Sequence, residues 1–375
     1  MHTLRVTLPV RESSYPIQVH STNLGAIGEF ARSCAAKSEL ALVVCDAGVK
    51  SYADVVLQSL KQQGFRSSLA VVPSGESSKS LEMASRLYDT LIELPADRQT
   101  LVVALGGGVI GDLAGFVAAT FNRGLPLLMV PTTLLAMVDS AIGGKVAVNH
   151  PRGKNLIGSF YQPVGVWITL ETLDTLPERE YRSGLAEVVK YGMIVDARFF
   201  EYIEANVERI LARDKETLQH IVIHCCRLKA NIVEQDPCEE TGLRAILNYG
   251  HTFAHAFETL SGYAEWLHGE AVAVGMICAS RLAEKLGRIP GCVTERQRNL
   301  LRRLGLPVRL KSMPIDDLLA IMRHDKKVRA GRLRFILPNR IGYVELVENV
   351  PESLVRETLL ELMNNSQETT ACTRQ

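Results

Sequence analysis

The spacing of hydrophobic and polar positions changes character along the chain. Up to about residue 177, short apolar runs rich in β-branched residues ("ALVVCD", "SSLAVVP", "LVVALGGG", "LLMVPTT" and "VGVWIT") alternate with segments of helical periodicity such as 48–63 and 79–92. Strands and helices that alternate in this rhythm are typical of a parallel sheet with helices on its faces. The first part of the chain is therefore predicted to be an α/β domain.

Helical periodicity dominates from residue 178 onward. It covers roughly 178–192, 197–211, 214–236, 244–261, 268–287, 293–304 and 351–363. The exception is "RLRFILPNRIGYVELV", whose two strand-like runs around Pro338-Asn339 predict a β-hairpin. We therefore expect a Rossmann-like, mostly parallel α/β domain over 1–177 and a mainly α-helical domain over 178–375. The cleft between the two domains is the expected active site.

Composition narrows the class of protein. A chain of 375 residues with 47% hydrophobic and 22% charged residues fits about two soluble globular domains. Its formal net charge of +1 gives no general attraction to nucleic acid or to acidic membranes. The first ten residues, "MHTLRVTLPV", alternate like a strand and lack the apolar core of a signal peptide. No run approaches the ~20 apolar residues of a transmembrane helix.

The cysteines indicate the redox environment. There are eight, scattered along the chain without a C-x-x-C pair, and several lie inside apolar runs. This pattern is typical of reduced, buried thiols and not of a disulfide framework or a cysteine zinc site. The expected location is the cytoplasm.

The first chemical signal is the glycine-rich segment "LVVALGGGVIGDLAGF". Its glycines at 106, 108 and 111 fit G-x-G-x-x-G between an apolar strand and a helix, where the backbone can approach a pyrophosphate. A glycine turn that serves only close helix–sheet packing is the alternative. This strand is not the first of the domain, and no acidic residue ends a strand about 20 residues later. Asp46, or Glu76 with Lys79, are then the alternative ribose or phosphate partners.

The second signal is "VPTTLLAMVDSAIGGKVAVNHPRGKNLIGSF". Hydroxyls at the end of a strand, Thr132-Thr133, precede the turn Gly143-Gly144-Lys145 and the pair Lys154-Asn155. So many hydroxyls, glycines and lysines indicate a phosphorylated or otherwise anionic ligand. A solvated loop with ordinary lysines is the alternative, and for Lys154 taken alone it is the preferred one. Asp139 lies within an apolar run, where an unpaired carboxylate is costly, so we expect it to have a cationic partner.

The third signal is a set of histidines and charged groups in the helical part. "LAEVVKYG" puts Glu187 and Lys190 on one helical face at i and i+3, and His268 begins a strongly apolar helix. The segment "RAILNYGHTFAHAFETL" carries four polar residues at spacings of 4, 3 and 4, which predicts one stripe along one helix: Arg244, Asn248, His251 and His255.

Three imidazoles and one carboxylate suffice for a catalytic zinc site with an open position. The pair H-x-x-x-H in "HTFAH" suggests that His251 and His255 bind one ion together, although helical histidine pairs without metal are common. Spacing does not decide which three of the four candidates are ligands.

Six segments in one order carry a resemblance to a known family. They are "ALGGGVIGDLAGFVAATF", "VPTTLLA", "VNHPRGKNLIGSFYQP", "GLAEVVKYG", "LNYGHTFAHAFE" and "LHGEAVAVGM", within about residues 74–334. Together they resemble 3-dehydroquinate synthases. The resemblance implies a lyase that uses NAD and a divalent metal, usually zinc with cobalt as the alternative, and acts in the shikimate pathway. It would convert 3-deoxy-D-arabino-heptulosonate 7-phosphate to 3-dehydroquinate and phosphate through transient oxidation, elimination, re-reduction, ring opening and aldol closure, generally as a homodimer.

The resemblance also implies roles for individual residues. The metal would bind to Glu187, His251 and His268. The NAD-binding positions would be Asp46, Ser74, Gly75, Glu76, Lys79, Gly107, Gly108, Val109, Ile110, Gly111, Asp112, Thr132, Thr133, Lys145, Lys154, Thr172, Leu173, Asp174 and Thr175. The catalytic positions at the substrate would be Asp139, Lys145, Lys190, Asn248 and His255. Further substrate contacts would be Asn155, Lys229, Arg244 and Lys327, with Arg123 reaching the neighbouring subunit's site.

Departures from the family pattern are few. Val146-Ala147 stands where a small polar residue and a glycine are more frequent, and Met137 replaces a frequent polar residue. Three other functions stay open: a related cyclase of the valiolone or deoxy-inosose type, an NAD-dependent polyol dehydrogenase, and a non-catalytic ligand-binding protein. The Gly-Gly-Lys turn and the pair Lys229 and Arg244, suited to a substrate carboxylate, favour the 3-dehydroquinate synthase.

Overall fold

The computed structural model describes residues 14–262, 265–324 and 333–364. The strand expected at residues 1–10 and the expected substrate contact Lys327 lie outside these ranges. No helix in the described ranges is both long and apolar enough to cross a membrane.

A six-stranded sheet forms the centre of the first part of the chain, and all of its neighbouring strands run parallel. This confirms the predicted Rossmann-like α/β architecture. In spatial order the strands are β1 (Ile17–His20), β8 (Gly165–Thr169), β5 (Leu127–Pro131), β4 (Leu101–Gly106), β2 (Leu40–Asp46) and β3 (Arg66–Val72). Central strands such as β4 are buried along their whole length, which explains their continuous apolar runs.

Helices cover both faces of this sheet. They are α1 (Ile27–Cys34), α2 (Lys50–Gln62), α3 (Leu81–Glu93) and α4 (Gly108–Thr120), with a π-helix at Ala136–Ser140. The strand order reverses at β2, which has β3 on one side and β4 on the other. A crevice at the carboxyl ends of such strands is where open α/β sheets bind their ligands.

An antiparallel hairpin projects from this domain. Its strands are β6 (Lys145–His150) and β7 (Gly153–Phe160). The sequence pattern did not predict it, because glycines, lysines and a proline interrupt the alternation of apolar residues. Strand β6 packs against α3 and α4, and β7, which carries the predicted contacts Lys154 and Asn155, also contacts α4.

The second part of the chain is mainly helical, as predicted. It contains α5 (Glu178–Ile194), α6 (Ala197–Ala205), α7 (Val207–Leu211), α8 (Lys215–Gln235), α9 (His251–Leu260), α10 (His268–Lys285), α11 (Gly291–Arg303), α12 (Ile315–His324) and α13 (Glu352–Asn364), with a hairpin of β9 (Arg334–Arg340) and β10 (Tyr343–Glu348). One apolar core continues from the sheet domain into these helices. The boundary at residues 177/178 stays a prediction.

Four details of the helical region differ from the sequence prediction. The segment 244–261 is not one helix: a 3-10 helix at Leu243–Asn248 is followed by Gly250 at φ 81°, and α9 begins only at His251. The segment 197–211 is divided at Asn206. The turn of the hairpin lies at 341–342, and Pro338 is inside β9, a strand with one partner where a missing N–H is tolerated. Helix α12 was not predicted.

The break before α9 has a packing cause. The backbone at Gly250 lies directly against α10, and a Cβ atom there would meet the Met276 side chain and backbone at 2.7 Å. The left-handed conformation and the missing side chain both require glycine at this point. The four polar residues predicted to share one helical stripe are therefore divided between a 3-10 helix and α9.

Candidate active site

Three residues of the helical region converge on one point between α5, α9 and α10. Nε2 of His251 lies 3.6 Å from Oε1 of Glu187, and Nε2 of His268 lies 3.8 Å from the same oxygen. One ligand atom from each residue lies within 4.8 Å of the others, and no other such group of three was found among the described residues. The geometry groups the three residues that the family resemblance implied as ligands.

His255 lies beside this cluster. It follows His251 by one helical turn, and their ring centroids are 5.6 Å apart with the rings nearly perpendicular. The His255 ring is 6.5 Å from that of His268, and the His255 side chain is exposed. The spacing H-x-x-x-H alone suggested a shared ion for His251 and His255, whereas the geometric cluster contains His268 instead.

The cluster fits a divalent cation in its donor chemistry. One carboxylate and two imidazoles form a three-residue set of the kind that holds catalytic zinc. Glu187 is fully buried, and its carboxylate oxygens have no hydrogen-bond partner among the described residues other than their ion-pair contact with Lys190. Lys190 contacts Oε2, whereas Oε1, which faces Nε2 of both histidines, has no hydrogen-bond donor of its own and is costly to bury unless a cation lies against it.

In both His251 and His268, the ring nitrogen that points away from Glu187, Nδ1, also contacts an oxygen atom. Nδ1 of His251 lies 3.2 Å from the backbone oxygen of Tyr249, and Nδ1 of His268 lies 3.3 Å from Oε1 of Glu258. Burial alone would raise the pKa of Glu258 and lower that of His268. Their contact outweighs burial, so the pKa of Glu258 is lowered and that of His268 is raised.

A second charged group joins the two domains next to the cluster. Nζ of Lys229 lies 2.7 Å from the Asp139 carboxylate, which also accepts a hydrogen bond from the Tyr191 hydroxyl at 3.1 Å. Burial would raise the pKa of Asp139, but the ammonium groups of Lys229 and Lys190 hold it well below its usual range. Lys229 thus supplies the cationic partner expected for Asp139.

The two lysines respond differently to burial. Burial lowers the pKa of Lys229, and the nearby Asp139 offsets only part of this effect. Lys190 is also buried, but its pKa is raised because the attraction of Glu187 and Asp139 exceeds the cost of burial. Lys190 therefore stays charged at neutral pH.

A polar network joins the loop before α3 to the β6–β7 hairpin. The buried Lys79 contacts the side chains of Asp112 and Asn155, and Lys154 lies 3.5 Å from Glu76. Burial raises the pKa of Asp112 despite its contact with Lys79. An open cavity of about 710 Å³ lies here, with Thr259 and Gly262 of the helical region on its other side. Predicted NAD and substrate positions are thus adjacent, at the cleft between the domains.

The glycine-rich segment lies at the carboxyl edge of the sheet, between β4 and α4. A Cβ atom on Gly107 would meet Thr133 at 3.0 Å, so this turn lies directly against the end of β5. Asp46 ends the neighbouring strand β2, accepts a hydrogen bond from Gly48 N and is bonded by the Ser74 hydroxyl at 3.0 Å. These strand ends form the crevice in which the sequence predicts a dinucleotide.

The remaining predicted positions lie in several places. Thr132 is buried, and its hydroxyl has no hydrogen-bond partner among the described residues. The segment 172–175 follows β8 at the same edge, where the Thr175 hydroxyl is 2.8 Å from that of Tyr52. Lys145 is paired with Glu239 at 2.7 Å. Arg123 is exposed at the end of the 3-10 helix Phe121–Arg123, which follows α4.

Arg244 and Asn248 belong to the 3-10 helix before α9. Arg244 is 1% exposed, and its guanidinium donates to the backbone oxygens of Gly143 and Pro237 at 3.3 and 2.8 Å. Asn248 is half-buried. Arg244 thus braces the Gly143-Gly144-Lys145 turn from the helical side, and contact with a substrate stays a prediction.

Sequence reasoning missed several side chains that contact predicted site residues, and two of them lie at or beside the metal-ligand cluster. Glu258 contacts His268, and Tyr191 contacts Asp139. The signal for Glu258 was present, because it follows His255 by three positions and so continues the face of His251 and His255. For Tyr191 the sequence offers only its position directly after Lys190.

Family models match most of the chain. The model described as 3-dehydroquinate synthase N-terminal matches residues 69–183, and the one described as 3-dehydroquinate synthase C-terminal matches residues 184–328. A similar curated protein is the 3-dehydroquinate synthase of Desulforamulus reducens, which is 51% identical over 354 residues, covering 94% of this chain and 98% of the relative.

Two solved structures have a similar fold over most of their length. One is 2-epi-5-epi-valiolone synthase from Streptomyces hygroscopicus subsp. jinggangensis 5008 with NAD+ and Zn2+ bound, with a TM-score of 0.87, 28% identity and coverage of 96% of this chain and 99% of that chain. The other is 2-deoxy-scyllo-inosose synthase complexed with carbaglucose-6-phosphate, NAD+ and Co2+, with a TM-score of 0.84, 27% identity and coverage of 92% and 96%.

Proposed function

Because the chain belongs to the 3-dehydroquinate synthase family, we propose that it is the lyase that converts 3-deoxy-D-arabino-heptulosonate 7-phosphate to 3-dehydroquinate and phosphate. The observation that carries this proposal is the cluster of Glu187, His251 and His268 beside the charged group of Lys190, Asp139 and Lys229. Cationic and metal-ligating groups from both domains thereby meet around one space.

The choice among related cyclases rests on sequence similarity. The 3-dehydroquinate synthase of Desulforamulus reducens is 51% identical to this chain, whereas the valiolone and deoxy-inosose enzymes are 28% and 27% identical. The pair Lys229 and Arg244 supports the choice less directly, because Lys229 is bonded to Asp139 and Arg244 to backbone oxygens. A substrate carboxylate would have to compete with these partners.

Glu187, His251 and His268 would hold one divalent cation, and the donor set favours zinc, with cobalt as the alternative. When bound, the cation would stabilise negative charge that develops on substrate oxygens. Lys190 contacts the Glu187 carboxylate, so its Nζ lies on the same side of the cavity as the cation would. His255 presents an exposed imidazole beside His251 and could exchange a proton with a substrate hydroxyl.

NAD would bind where three neighbouring strands end, at Asp46, at the loop after β4 and at Thr132. Ser74 and Lys79 lie nearby. When bound, NAD would supply a hydride acceptor that is restored within each turnover. The backbone of the glycine-rich turn, at the start of α4, suits a pyrophosphate because helix N-terminal N–H groups bind anions. The similar folds of the two cyclases solved with NAD+ support this assignment.

Lysines and amides near the hairpin would bind the substrate phosphate. Asn155, which contacts Lys79 of the cavity lining, and Lys145, the first residue of β6, would contact it, while the neighbouring Lys154 in the cavity wall would serve NAD. Lys145 carries an ion pair with Glu239 that the phosphate would have to displace. Lys229 on α8 and Arg244, which contacts Gly143 of the adjacent turn, would bind the substrate carboxylate.

The proposal includes three further features. The chain would act as a homodimer in which the exposed Arg123 reaches the neighbouring subunit's site. It would work in the cytoplasm, in keeping with the free cysteines throughout the described ranges. Its domains would be divided at residues 177/178. Light scattering on the purified chain tests the first feature, because a monomeric mass would remove the role of Arg123.

The reaction is tested by following phosphate and NADH absorbance together. Purified protein supplied with NAD+, zinc and the heptulosonate phosphate should release phosphate without net NADH accumulation, whereas glucose 6-phosphate, which lacks a carboxylate, should release none. Steady NADH accumulation would indicate a polyol dehydrogenase. Lys229→Met should lose phosphate release, and Lys311→Met, at a surface lysine that pairs with Glu265, is the matched control. Absence of phosphate release by the wild type would refute the proposal.

A further inference from the structure

A buried carboxylate that has no role in the proposed reaction lies behind the metal-ligand cluster. Glu258 is 5% exposed, and its Oε1 lies 3.3 Å from Nδ1 of His268 on the neighbouring helix. It follows His251 and His255 on α9 at spacings of 4 and 3, so all three residues share one helical face. This face contacts the start of α10, where His268 is the first residue.

The two histidines of the cluster are oriented by different kinds of partner. His251 has its Nδ1 against the backbone oxygen of Tyr249, two residues earlier on the same chain segment. His268 has no preceding turn of its own helix, and its Nδ1 contacts a carboxylate supplied by α9. In both cases Nε2 is the nitrogen that faces Glu187.

The contact between Glu258 and Nδ1 of His268 determines which nitrogen of the His268 ring carries the proton. A neutral imidazole carries a proton on one nitrogen and a lone pair on the other. A carboxylate at Nδ1 accepts that proton's hydrogen bond, which leaves the lone pair on Nε2, the nitrogen directed at Glu187. Carboxylates in this outer position fix the ring orientation and make the ligand nitrogen more basic.

Because Glu258 is buried, its contact with His268 is important for the stability of this region. An ionised carboxylate that is almost fully buried is costly unless it has partners. Besides His268, the charged groups that act on Glu258 are His255 on its own helix and Lys154 on the hairpin. Glu258 thus links α9, the start of α10 and the edge of the cavity.

We propose that Glu258 is a positioning residue that fixes the tautomer and the orientation of His268, so that Nε2 of His268 faces the metal. The role rests on the metal site of the proposed function. It concerns assembly of the ligand set and assigns Glu258 no contact with the substrate or with the metal.

The test compares metal affinity in Glu258→Met and Glu258→Gln with the wild type. Competition with a chromophoric chelator gives the zinc dissociation constant of each purified protein, and the melting temperature of the metal-free form reports folding. Removal of an outer partner weakens metal binding by about 10- to 100-fold. Glu258→Met should show this loss, while Glu258→Gln keeps a carbonyl acceptor and should lose less. Glu265→Gln, at an exposed carboxylate near the same helix start, is the matched control with wild-type affinity.

The outcomes separate positioning from folding. Weaker zinc binding by Glu258→Met, partly restored in Glu258→Gln and accompanied by unchanged NAD binding, supports the role. Zinc binding within about twofold of the wild type in a folded Glu258→Met refutes it, even if the melting temperature falls. If Glu258→Met does not fold, equal zinc affinity of Glu258→Gln and Glu265→Gln refutes it. A wild-type protein that binds no zinc or cobalt overturns the proposed metal site together with this role.

Discussion

The close contact between α9 and α10 leads to a prediction about Gly275→Ala. Gly275 lies against the residue that precedes His251: a Cβ atom on it would be 2.2 Å from the backbone oxygen of Gly250 and 3.1 Å from the backbone N of Ala254. Both clashing atoms belong to backbone, so rotation of a side chain cannot relieve them. The substitution changes no metal ligand and introduces no charge.

The size of the effect follows from this distance. Carbon and oxygen atoms in close backbone contact are about 3.3 Å apart, so the two helices would have to separate locally by roughly 1 Å. Overpacking of this kind costs about 1–3 kcal/mol. Ligand distances in metal sites lie within about 0.2 Å of their usual values. A shift of this size between His251 and His268 should weaken zinc binding by about tenfold or more, the range seen when ligand orientation is disturbed.

Chelator competition measures the zinc affinity, and thermal melting of the metal-free protein measures the cost of overpacking. Gly25→Ala is the matched control, because a Cβ atom at Gly25 would meet nothing within 4 Å. Gly275→Ala should lose both stability and metal affinity, and the control should lose neither. A folded Gly275→Ala protein with the wild-type zinc affinity would show that the approach of α9 to α10 does not set the ligand geometry.

Two further predictions concern ion pairs between a buried lysine and a half-buried aspartate. Asp139→Asn leaves Lys229 without its carboxylate and should lower the free energy of unfolding by about 3–5 kcal/mol at pH 7, measured by urea titration. Since the folded pKa of Asp139 is lowered, its stabilisation is present above the unfolded pKa of about 3.9 and is lost as the pH falls further. The difference from the wild type should therefore shrink below about pH 4, and a constant difference down to pH 2 would contradict the assignment. Lys79→Met leaves the half-buried Asp112 without its ammonium partner and should weaken NAD binding and lower the melting temperature, by calorimetry; unchanged values of both would contradict the role of this network.

The sequence predicted the sheet and the general helical region well, for identifiable reasons. Strands such as Leu101–Gly106 are apolar along their whole length because both faces are buried, and that pattern is easily distinguished from the neighbouring helices. The glycine-rich turn after this strand also lies where its spacing predicted, between strand and helix.

The local geometry around the candidate metal site was harder to predict. An isolated glycine such as Gly250 is compatible with a helix at a cost of about 1 kcal/mol, so the pattern of 244–261 favoured one continuous helix. The break depends on contact with Met276, which is distant in sequence. The family resemblance named Glu187, His251 and His268 together, whereas spacing left His255 as an equal candidate. Only the packing of α5, α9 and α10 brings His268 and Glu258 into contact with this group.

The assignment of the metal to Glu187, His251 and His268 is tested most directly by the zinc content of single-histidine variants. Elemental analysis of zinc-loaded, desalted protein should give about one zinc per chain for the wild type and for His255→Ala, because a single three-residue site holds one ion. His268→Ala should contain far less. Zinc retained by His268→Ala and lost from His255→Ala would contradict the account and assign the ion to the pair on α9.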